Sequence, residues 1–379
     1  MSQINQDSNT VRGHVAPGLE PVRDAFTDNF SEDKELGAGF SAYLDGELII
    51  NLQGGWTDRN KTRPWDDRTI VPVYSTTKPI AALTLASVIG ALPAGYETAV
   101  ADVWPEFGAA GKAAITIGEM LSHQAGLPGF IEPIEPELWL DPPACAAALA
   151  TLAPMWPPGK AHGYHPLSWG YLVGELTQRI DGRTLGTILR EDIAGPAGID
   201  FQIGTPVSDH DRIADIMRPR TLPDLGEINA PTRAAFLTKW ASPNRGGAVW
   251  REVEIPSANG HGTAQATAQL YGLYANRGCI GDQRFIPKAR FEELVTSRTK
   301  GQDLVLPFVT EFAAGPMLNN LGIYGPNPNT LCHSGWGGSL ALGDPDRNLS
   351  AAYVMNRQSN SLQGDLRATR LIQVLYDCL

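Results

Sequence analysis

The chain has 379 residues, 42% of them hydrophobic and 19% charged, which is an ordinary composition for a globular protein with a hydrophobic core. Its 30 basic and 41 acidic residues give a net charge of -11. This charge argues against nucleic acid or an anionic membrane as the main partner, because both bind to basic surfaces.

The sequence contains no apolar run long enough to span a bilayer, and its polar first residues lack the apolar core of a signal peptide. We therefore expect a cytoplasmic protein. The four cysteines are scattered without CxxC spacing, so a structural zinc site is not expected. Buried free thiols are the preferred prediction, and the sequence leaves one or two disulfides open. These cysteines are Cys145, Cys279, Cys332 and Cys378.

The N-terminal part predicts a polar arm and a short helix up to about Leu36, followed by a β-hairpin. In GAGFSAYLDGELIINLQGG, which starts at Gly37, apolar residues alternate with a period of two on both sides of Asp45-Gly46. The Asp-Gly pair is typical of a tight turn between antiparallel strands. A polar loop then leads into the extended apolar segment TIVPVY.

The next segments predict helices. STTKPIAALTLASVIGAL, which begins at Ser75, is rich in apolar residues and has a helix-like pattern. GYLVGELTQRI is amphipathic, and Gly182 follows it as a residue that terminates helices. The stretch from Thr205 to Pro243 is rich in Pro, Asp and Asn and has no clean period. We interpret it as long loops with short helices that shape a pocket.

The C-terminal third returns to a mixed pattern. ANGHGTAQATAQLYGLYANRG predicts a helix of small residues closed by Gly278, and SLQGDLRATRLIQVLYDCL predicts a final amphipathic helix. Between them, LCHSGWGGSLALGDPDRNLSAAYVMN predicts two strands around a turn at Asp344-Pro345-Asp346.

Strands near both ends of the chain and helices between them predict an α/β (α+β) fold, with an antiparallel sheet flanked by helices. We expect residues 1–94 and 247–379 to form one sheet domain from both termini. Residues 95–246 would then be an inserted, mainly helical domain.

The spacing Ser-x-x-Lys places a serine and a lysine on one face of a helix, and it occurs three times. Ser31–Lys34 lies in an acidic, polar stretch, and Ser297–Lys300 ends a predicted helix and runs into polar GQD. Neither environment removes a lysine from water. Ser75–Lys78 instead follows the apolar segment IVPVY and opens an apolar helix.

Ser75 and Lys78 are therefore the candidate nucleophile and base. A lysine is normally protonated at neutral pH, but burial among apolar neighbours lowers its pKa and lets it accept a proton from serine. The N-terminus of the following helix offers free N–H groups to an oxyanion, and Pro79 fits this first turn. The motif alone also fits an N-cap serine beside an exposed lysine.

Two further segments carry residues that suit the same chemistry. Tyr164 lies in AHGYHPLSWGYLVGEL, just before a helix, and a phenol held against a lysine can relay protons. HSGWGGS, from His333 to Ser339, is a glycine-rich strand segment whose backbone N–H groups can approach a substrate carbonyl. Taken singly, the first is typical of a packed aromatic residue and the second of a turn.

Together and in this order, the segments resemble the serine β-lactamase and penicillin-binding-protein superfamily, and most closely its carboxylesterases, the family VIII esterases. The Ser-x-x-Lys motif of that family matches Ser75-Thr76-Thr77-Lys78, and its tyrosine element matches Tyr164-His165-Pro166. Its Lys-Thr-Gly strand element corresponds to His333-Ser334-Gly335, followed by the Trp336-Gly337-Gly338 that is typical of the esterases. The resemblance covers most of the chain.

The resemblance implies a β-lactamase-like fold and acyl transfer through a covalent intermediate on Ser75. Lys78, coupled to Tyr164, would accept the Ser75 proton, and Tyr164 would protonate the leaving alcohol. The backbone N–H groups of Ser75 and Trp336 would form the oxyanion hole. The implied pocket and supporting residues are Tyr74, Gln124, His333, Gly335 and Gly337. No cofactor or metal is implied, the expected partner is a small-molecule ester with a short acyl chain, and the oligomeric state stays open.

Two departures from the lactamase pattern favour esters over β-lactams. Pro166 stands where the lactamase Tyr-x-Asn motif has an amide that helps to bind the substrate, and His333 replaces a lysine that pairs with the lactam carboxylate. Both losses weaken recognition of an anionic antibiotic and leave ester chemistry intact. Amidase or D-amino-acid peptidase action, transacylation and β-lactamase activity stay open as alternatives.

Three hypotheses from other classes compete with this one. An α/β-hydrolase needs a G-x-S-x-G elbow, and the nearest sequence, Gly337-Gly338-Ser339-Leu340-Ala341, lacks the final glycine. A metallohydrolase needs a ligand set, but the seven histidines form no HExxH motif, and His162 and His165 have no carboxylate close in sequence. A non-catalytic binding protein would not need serine, lysine and tyrosine together.

Overall fold

The computed structural model describes residues 11–31, 34–237 and 247–379. The first ten residues of the predicted polar arm lie outside the described residues. The same is true of residues 238–243 at the end of the predicted loop region. The helix predicted after the arm is present as α1 (Glu20–Ser31).

Strands lie mainly near the two ends of the chain, and helices are most frequent between them. The strands of the described chain are, in order, β1 (Arg12–Val15), β2 (Gly37–Leu44), β3 (Glu47–Gly55), β4 (Val71–Pro72), β5 (Phe201–Ile203), β6 (Gly260–Gly262), β7 (Cys279–Ile280), β8 (Gln283–Arg284), β9 (Thr299–Gln302), β10 (Val309–Phe312), β11 (Met317–Leu318), β12 (Leu331–Ser334), β13 (Leu340–Asp344) and β14 (Leu349–Met355). The further α-helices of the same ranges are α2 (Thr77–Val88), α3 (Val100–Val103), α4 (Ile117–Leu121), α5 (Pro142–Thr151), α6 (Ser168–Asp181), α7 (Leu185–Ile188), α8 (Ala230–Thr232), α9 (Gly247–Glu252), α10 (Ala264–Ala275), α11 (Lys288–Val295) and α12 (Leu366–Cys378).

Within the described residues, nine strands form one antiparallel sheet in the order β1-β3-β2-β14-β13-β12-β11-β10-β9. The N-terminal strand β2 pairs along its length with β14 from the other end of the chain. The predicted antiparallel sheet with flanking helices is confirmed. The division of the chain into a sheet domain and an inserted helical domain stays a prediction.

Both faces of this sheet are buried, because alternate residues of its central strands join two different clusters of apolar side chains. On β14, Tyr353 and Met355 pack in the cluster that includes α1 and α12, whereas Ala352 and Val354 pack in the cluster that includes α10 and α2. The sheet therefore forms the middle layer between two helical layers.

Several predicted elements are present as expected. The first hairpin turns at Asp45 and Gly46, whose φ angles are 50° and 84°. Helix α6 ends at Gly182, which has a left-handed conformation with φ 91°. The final amphipathic helix is α12.

The segment from Leu331 to Met355 forms three strands rather than the predicted two. β12 and β13 are separate strands, because a glycine-rich turn interrupts the segment. Gly337 and Gly338 have φ angles of 89° and 123°, which an ordinary strand residue does not adopt.

Two helix boundaries also differ from the prediction. The helix expected from Ala258 begins only at Ala264, because β6 pairs with β4 and β5 and Thr263 then caps the helix by accepting the Ala266 N–H. The helix expected to reach Ser297 ends two residues earlier, and the chain continues into strand β9.

A buried ion cluster joins α12 to the sheet. The Arg367 guanidinium lies 3.1 Å from Glu35 and 2.8 Å from Asp365, and the Tyr353 hydroxyl donates to Glu35. Burial alone would raise the pKa of Asp365, but its hydrogen bonds to Arg367 outweigh burial and hold that pKa below its usual value. One cation therefore keeps a buried carboxylate ionised.

We expect Arg367→Met to lower the free energy of unfolding by about 3–5 kcal/mol, because Asp365 would lose its cation and Glu35 a donor in a buried site. Urea denaturation at pH 7 measures this. Lys288→Met serves as the control, since Lys288 is exposed and its ion pair with Glu292, at 3.9 Å, is also at the surface. A loss below about 1 kcal/mol for Arg367→Met would contradict the structural role of the cluster.

Candidate active site

Ser75 lies in a tight turn between strand β4 and helix α2. Tyr74 to Thr76 form a single 3₁₀ turn, and α2 follows immediately. Tyr74 has a φ angle of 48°, which residues other than glycine and asparagine rarely adopt and which stores backbone strain. This turn places Ser75 on the wall of a cavity, at a helix start where backbone N–H groups have no intrahelical acceptor.

Helix α10 and the glycine-rich turn hold the turn from Tyr74 to Thr76, here called the nucleophile turn after the candidate Ser75, in place. The hydroxyls of Tyr271 and Tyr274 on α10 donate to the carbonyls of Thr76 and Pro79, at 2.9 and 2.8 Å. From the other side, Ser339 Oγ donates to the Val73 carbonyl at 2.7 Å and lies 3.1 Å from Thr76 Oγ1. The nucleophile turn is thus fixed by two separate elements.

Gly335 is required where the glycine-rich turn meets the nucleophile turn. A Cβ atom at this position would lie 2.0 Å from Ser339 Oγ and 2.2 Å from the Val73 carbonyl oxygen. No other residue fits there without moving backbone, because real contacts of this kind stay beyond about 3 Å.

Lys78 Nζ lies among three oxygen atoms. It is 3.1 Å from Ser75 Oγ, 2.8 Å from the Pro166 carbonyl and 3.1 Å from the Ser257 carbonyl. The two carbonyls can only accept hydrogen bonds. A neutral amine therefore donates both of its N–H groups to these carbonyls. Its lone pair is then directed at the Ser75 hydroxyl, which is the arrangement of a general base.

The environment of Lys78 favours the neutral amine. The side chain is fully buried, and burial lowers its pKa well below the usual value. Its Nζ lies 4.8 Å from the centre of the Tyr164 ring and 6.0 Å from that of Trp169. The aromatic walls exclude water, which is the main stabiliser of an ammonium ion.

Tyr164 is buried beside both groups, just before α6. Its ring stacks on Phe312 with centroids 6.2 Å apart and planes 9° from parallel. Burial raises the pKa of its hydroxyl, and the nearby Ser75 hydroxyl offsets only part of that rise. The phenol is therefore protonated at neutral pH and can act as a proton donor.

His333 contributes a neutral imidazole to the cavity wall. Its Nδ1 donates to the Ser334 carbonyl at 2.7 Å, and its ring centre is 5.9 Å from that of Tyr164. Burial, reinforced by Lys78, lowers the pKa of His333 to about 3. With Nδ1 carrying the proton, Nε2 is an acceptor, and it is buried without a hydrogen-bond partner among the described residues.

Two more buried imidazoles lie behind Lys78. His165 Nδ1 donates to the Gly163 carbonyl at 2.6 Å and its Nε2 accepts the Leu127 N–H at 2.9 Å. The His165 N–H in turn donates to His123 Nδ1 at 3.1 Å. Burial lowers the pKa of both rings, that of His165 to about 3, so neither adds a positive charge.

A cavity of about 120 Å³ opens beside Ser75 and Tyr164. None of the described side chains that line it is Lys, Arg, Asp or Glu. Its apolar lining consists of Pro166, Leu167, Leu222, Phe236, Ala258, Leu306, Phe308, Met317, Trp336 and Leu362. The cavity suits an uncharged, apolar group next to the nucleophile.

The structure brings most of the predicted site residues together. Ser75, Tyr164 and His333 line the cavity, as do Tyr74 and Trp336, and Lys78 lies directly behind Ser75.

Two predicted glycines support the cavity from behind, and one predicted residue lies elsewhere. Gly335 and Gly337 form the turn behind the cavity wall. Gln124 lies outside the cavity lining, and its amide donates instead to the Ser122 hydroxyl at 2.8 Å.

Sequence reasoning missed two residues that build the site. Ser257 acts through its backbone carbonyl, a group that every residue has, so no residue type could reveal it. In the sequence, Ser339 stands out only as the end of the glycine-rich segment and as the serine of an incomplete G-x-S-x-G elbow, whereas its hydroxyl bonds to the turn that carries Ser75.

The other sequence predictions concern groups outside this site. All four cysteines are free; Cys145 and Cys332 are buried, and Cys279 and Cys378 are half-buried. In the described ranges, no cluster of three His, Cys, Asp or Glu side chains could hold a metal ion. The helices of those ranges are all too short or too polar to cross a membrane. The cytoplasmic location stays a prediction.

Comparison with known proteins gives consistent results. The β-lactamase family profile matches residues 22–375. The chain is 32% identical over 364 residues to the esterase/β-lactamase LipL of Mycobacterium tuberculosis, covering 92% of this chain and 83% of LipL.

Two solved structures resemble the whole fold. A penicillin-binding-protein homologue from Caulobacter crescentus has a TM-score of 0.94 and 48% identity, covering 98% of this chain and 100% of that one. A family VIII carboxylesterase has a TM-score of 0.92 and 36% identity, with the same two coverages. The β-lactamase-like fold expected from the sequence is confirmed by both.

The buried amine of Lys78 predicts a specific pH dependence of stability. In the unfolded chain this lysine is protonated up to about pH 10.4, whereas the folded protein holds it neutral well below that pH. Unfolding therefore takes up a proton, and the free energy of unfolding of the wild type rises with pH through this window. Lys78→Met lacks this uptake. We expect its stability relative to wild type to fall by up to about 1.4 kcal/mol per pH unit between pH 8 and 10.

Urea unfolding of both proteins at pH 8, 9 and 10 checks this slope. The control is Lys300→Met, which removes a lysine with a 64% exposed side chain from another Ser-x-x-Lys segment. Parallel pH dependences for wild type and Lys78→Met would show that Lys78 is charged in the folded protein and would exclude it as the base.

Proposed function

The chain belongs to the β-lactamase family of hydrolases, and within it we propose a serine carboxylesterase that cleaves short-acyl esters through an acyl-enzyme on Ser75. The observation that carries this proposal is the fully buried Lys78 amine, 3.1 Å from Ser75 Oγ and bonded to two carbonyls that can only accept. Such an amine is a base that is ready at neutral pH.

Acylation begins when the Ser75 hydroxyl gives its proton to the Lys78 lone pair and Oγ bonds to the ester carbonyl carbon. The carbonyl oxygen becomes an oxyanion, and the backbone N–H groups of Ser75 and Trp336 are the proposed donors that stabilise it. The C–O bond to the alcohol then breaks, and the leaving oxygen takes the proton of the Tyr164 hydroxyl. Tyr164 regains a proton from Lys78, so the base is restored.

Deacylation reverses these roles with water in place of the alcohol. Tyr164 and Lys78 together accept a proton from the attacking water, whose oxygen bonds to the acyl carbon. The bond to Ser75 Oγ breaks, and Ser75 regains its proton. The products are a carboxylic acid and the original enzyme.

The charge distribution favours esters over anionic β-lactams. His333 is neutral and presents an acceptor, and no described cavity-lining side chain is a cation that could pair with a carboxylate. A carboxylate would therefore enter this cavity without a cationic partner, whereas a neutral ester needs none. LipL is by its name both an esterase and a β-lactamase. Turnover of β-lactams is therefore the alternative activity to be measured beside ester turnover.

The size of the cavity favours short acyl groups. An apolar cavity of about 150 Å³ can hold a molecule the size of benzene, and the cavity beside Ser75 has about 120 Å³. This volume accepts acetyl to butyryl groups inside the site and leaves most of an octanoyl chain outside.

We expect Ser75→Ala to lower kcat/KM for p-nitrophenyl butyrate by at least about 10³-fold, because the covalent route is lost. Parallel assays with nitrocefin should show little turnover by the wild type. The matched control is Ser297→Ala, the serine of a different Ser-x-x-Lys segment, whose hydroxyl donates to Glu311. Ester turnover that survives Ser75→Ala would refute the mechanism, and dominant nitrocefin turnover would move the assignment to β-lactamase.

Enlarging the cavity should shift the acyl preference. We expect Phe308→Ala to raise kcat/KM for p-nitrophenyl octanoate relative to butyrate by about 10-fold, since removed apolar volume gives room to further methylene groups. Val309→Ala changes the neighbouring residue, which is 40% exposed and does not line the cavity, and should leave the ratio unchanged. An unchanged ratio in Phe308→Ala would show that the acyl chain binds elsewhere.

A further inference from the structure

The loop that joins β9 to β10, residues 303–308, serves two parts of the site at once. Leu306 and Phe308 line the cavity beside Ser75. The Leu304 N–H donates to the His162 carbonyl at 3.1 Å, so the loop also runs alongside the segment that leads to Tyr164. Asp303 is the first residue of this loop, and only 4% of its surface is exposed.

One oxygen of Asp303 accepts hydrogen bonds from backbone N–H groups of both the cavity wall and the segment that carries Tyr164. Its Oδ1 accepts from the N–H groups of Val305 and Leu306 at 2.8 and 2.9 Å, and from the N–H of Tyr164 at 3.0 Å. The first two bonds shape the cavity wall, and the third holds the backbone of the proposed proton donor. The same carboxylate oxygen therefore sets the distance between the two.

The second oxygen of Asp303 is held by a hydrogen-bond chain with a defined direction. Oδ2 can only accept, so Thr310 Oγ1 donates to it at 3.0 Å. Thr310 Oγ1 must then accept from His162 Nε2, which lies 2.8 Å away. Neutral His162 consequently uses Nδ1 as an acceptor for Thr299 Oγ1 at 2.6 Å. Thr299 and Thr310 lie on the paired strands β9 and β10, so the carboxylate is anchored to the sheet edge.

The side chain of Tyr164 depends on the same sheet edge. Its ring stacks on Phe312 of β10 and lies over Lys78 Nζ, so a shift of the Tyr164 backbone would move the hydroxyl relative to Ser75 and Lys78. Asp303 bonds directly to the Tyr164 backbone and to the cavity wall, whereas the Leu304–His162 bond joins the loop to the segment two residues before Tyr164.

We infer that Asp303 is a positioning residue that holds Tyr164 at a fixed distance from the acyl-binding wall. Proton transfer and acyl-chain selection then both depend on one carboxylate. This inference rests on the proposed function, because it assigns a task to Tyr164 and to the cavity. Asp303 itself touches neither Ser75 nor the reacting atoms.

Asp303→Ala removes the common acceptor and should change two properties together. We expect kcat for p-nitrophenyl butyrate, per site labelled by a fluorophosphonate, to fall about 10- to 100-fold, because a misplacement of about 1 Å has effects of this size. The ratio of kcat/KM for butyrate over octanoate should fall toward 1, because the Leu306 wall loses its anchor as well. Asp303→Asn keeps an oxygen for the three N–H groups and should stay within about 3-fold of wild type in kcat.

The matched control removes a similar carboxylate that is not part of the cavity lining. Asp58 is also buried and accepts the N–H groups of Thr62 and Arg63, so Asp58→Ala should lower the melting temperature and leave kcat per labelled site and the chain-length ratio unchanged. If Asp303→Ala does not fold, Thr310→Val replaces it. That variant removes the donor to Oδ2 and should lower kcat per labelled site by about 3- to 10-fold.

The outcomes separate this inference from the proposed function. If Asp303→Ala keeps the wild-type kcat per labelled site and the wild-type chain-length ratio, the inference is overturned. It is also overturned if Asp303→Asn loses as much kcat as Asp303→Ala, because that result would indicate a role of charge rather than of position. Neither result would affect the Ser75 mechanism. Ester turnover that persists in Ser75→Ala would overturn the proposed function, and the inference with it.

Discussion

The arrangement of this site depends on one buried nitrogen, Lys78 Nζ. Burying an ammonium ion without a counterion is strongly unfavourable, so the protein keeps the amine neutral and satisfies it with two carbonyls. These carbonyls belong to Pro166 and Ser257, which are 88 and 179 residues away in sequence. Three distant segments must therefore meet within hydrogen-bond distance of one atom before Lys78 can act as the proposed base for Ser75. The desolvation that lowers the stability of the folded protein is what makes the lysine able to accept a proton.

The rest of the fold fixes those segments against one another. The sheet brings the glycine-rich turn to the nucleophile turn, where Ser339 joins them, and α10 supports the same turn through Tyr271 and Tyr274. Strain at Tyr74 is tolerated because these contacts determine its conformation. The surrounding imidazoles are neutral, so the site combines a strong base with an uncharged cavity, which suits a neutral acyl donor better than an anionic one.

At the level of the fold, local patterns predicted what depends on local residues. The Asp45-Gly46 turn, helix α6 with its terminal Gly182 and the amphipathic α12 follow from turn chemistry and from periods of 2 and 3.6. The prediction failed where pairing over long distances decided the structure. Residues from Gly260 to Gly262 look like the start of a small-residue helix, but β4 and β5 on either side make them a strand.

At the level of the site, the sequence by itself determined the residue types that can perform the chemistry: Ser75, Lys78 and Tyr164 are recognisable by motif, order and apolar surroundings. Only the tertiary structure decided what gives them their properties. The lone-pair direction of Lys78 comes from backbone carbonyls, and the backbone N–H of Tyr164 donates to Asp303. Backbone groups are the same in every residue, and distance along the chain does not reveal which of them meet. Their partners therefore leave no signature in a single sequence, whereas a side chain with unusual chemistry does.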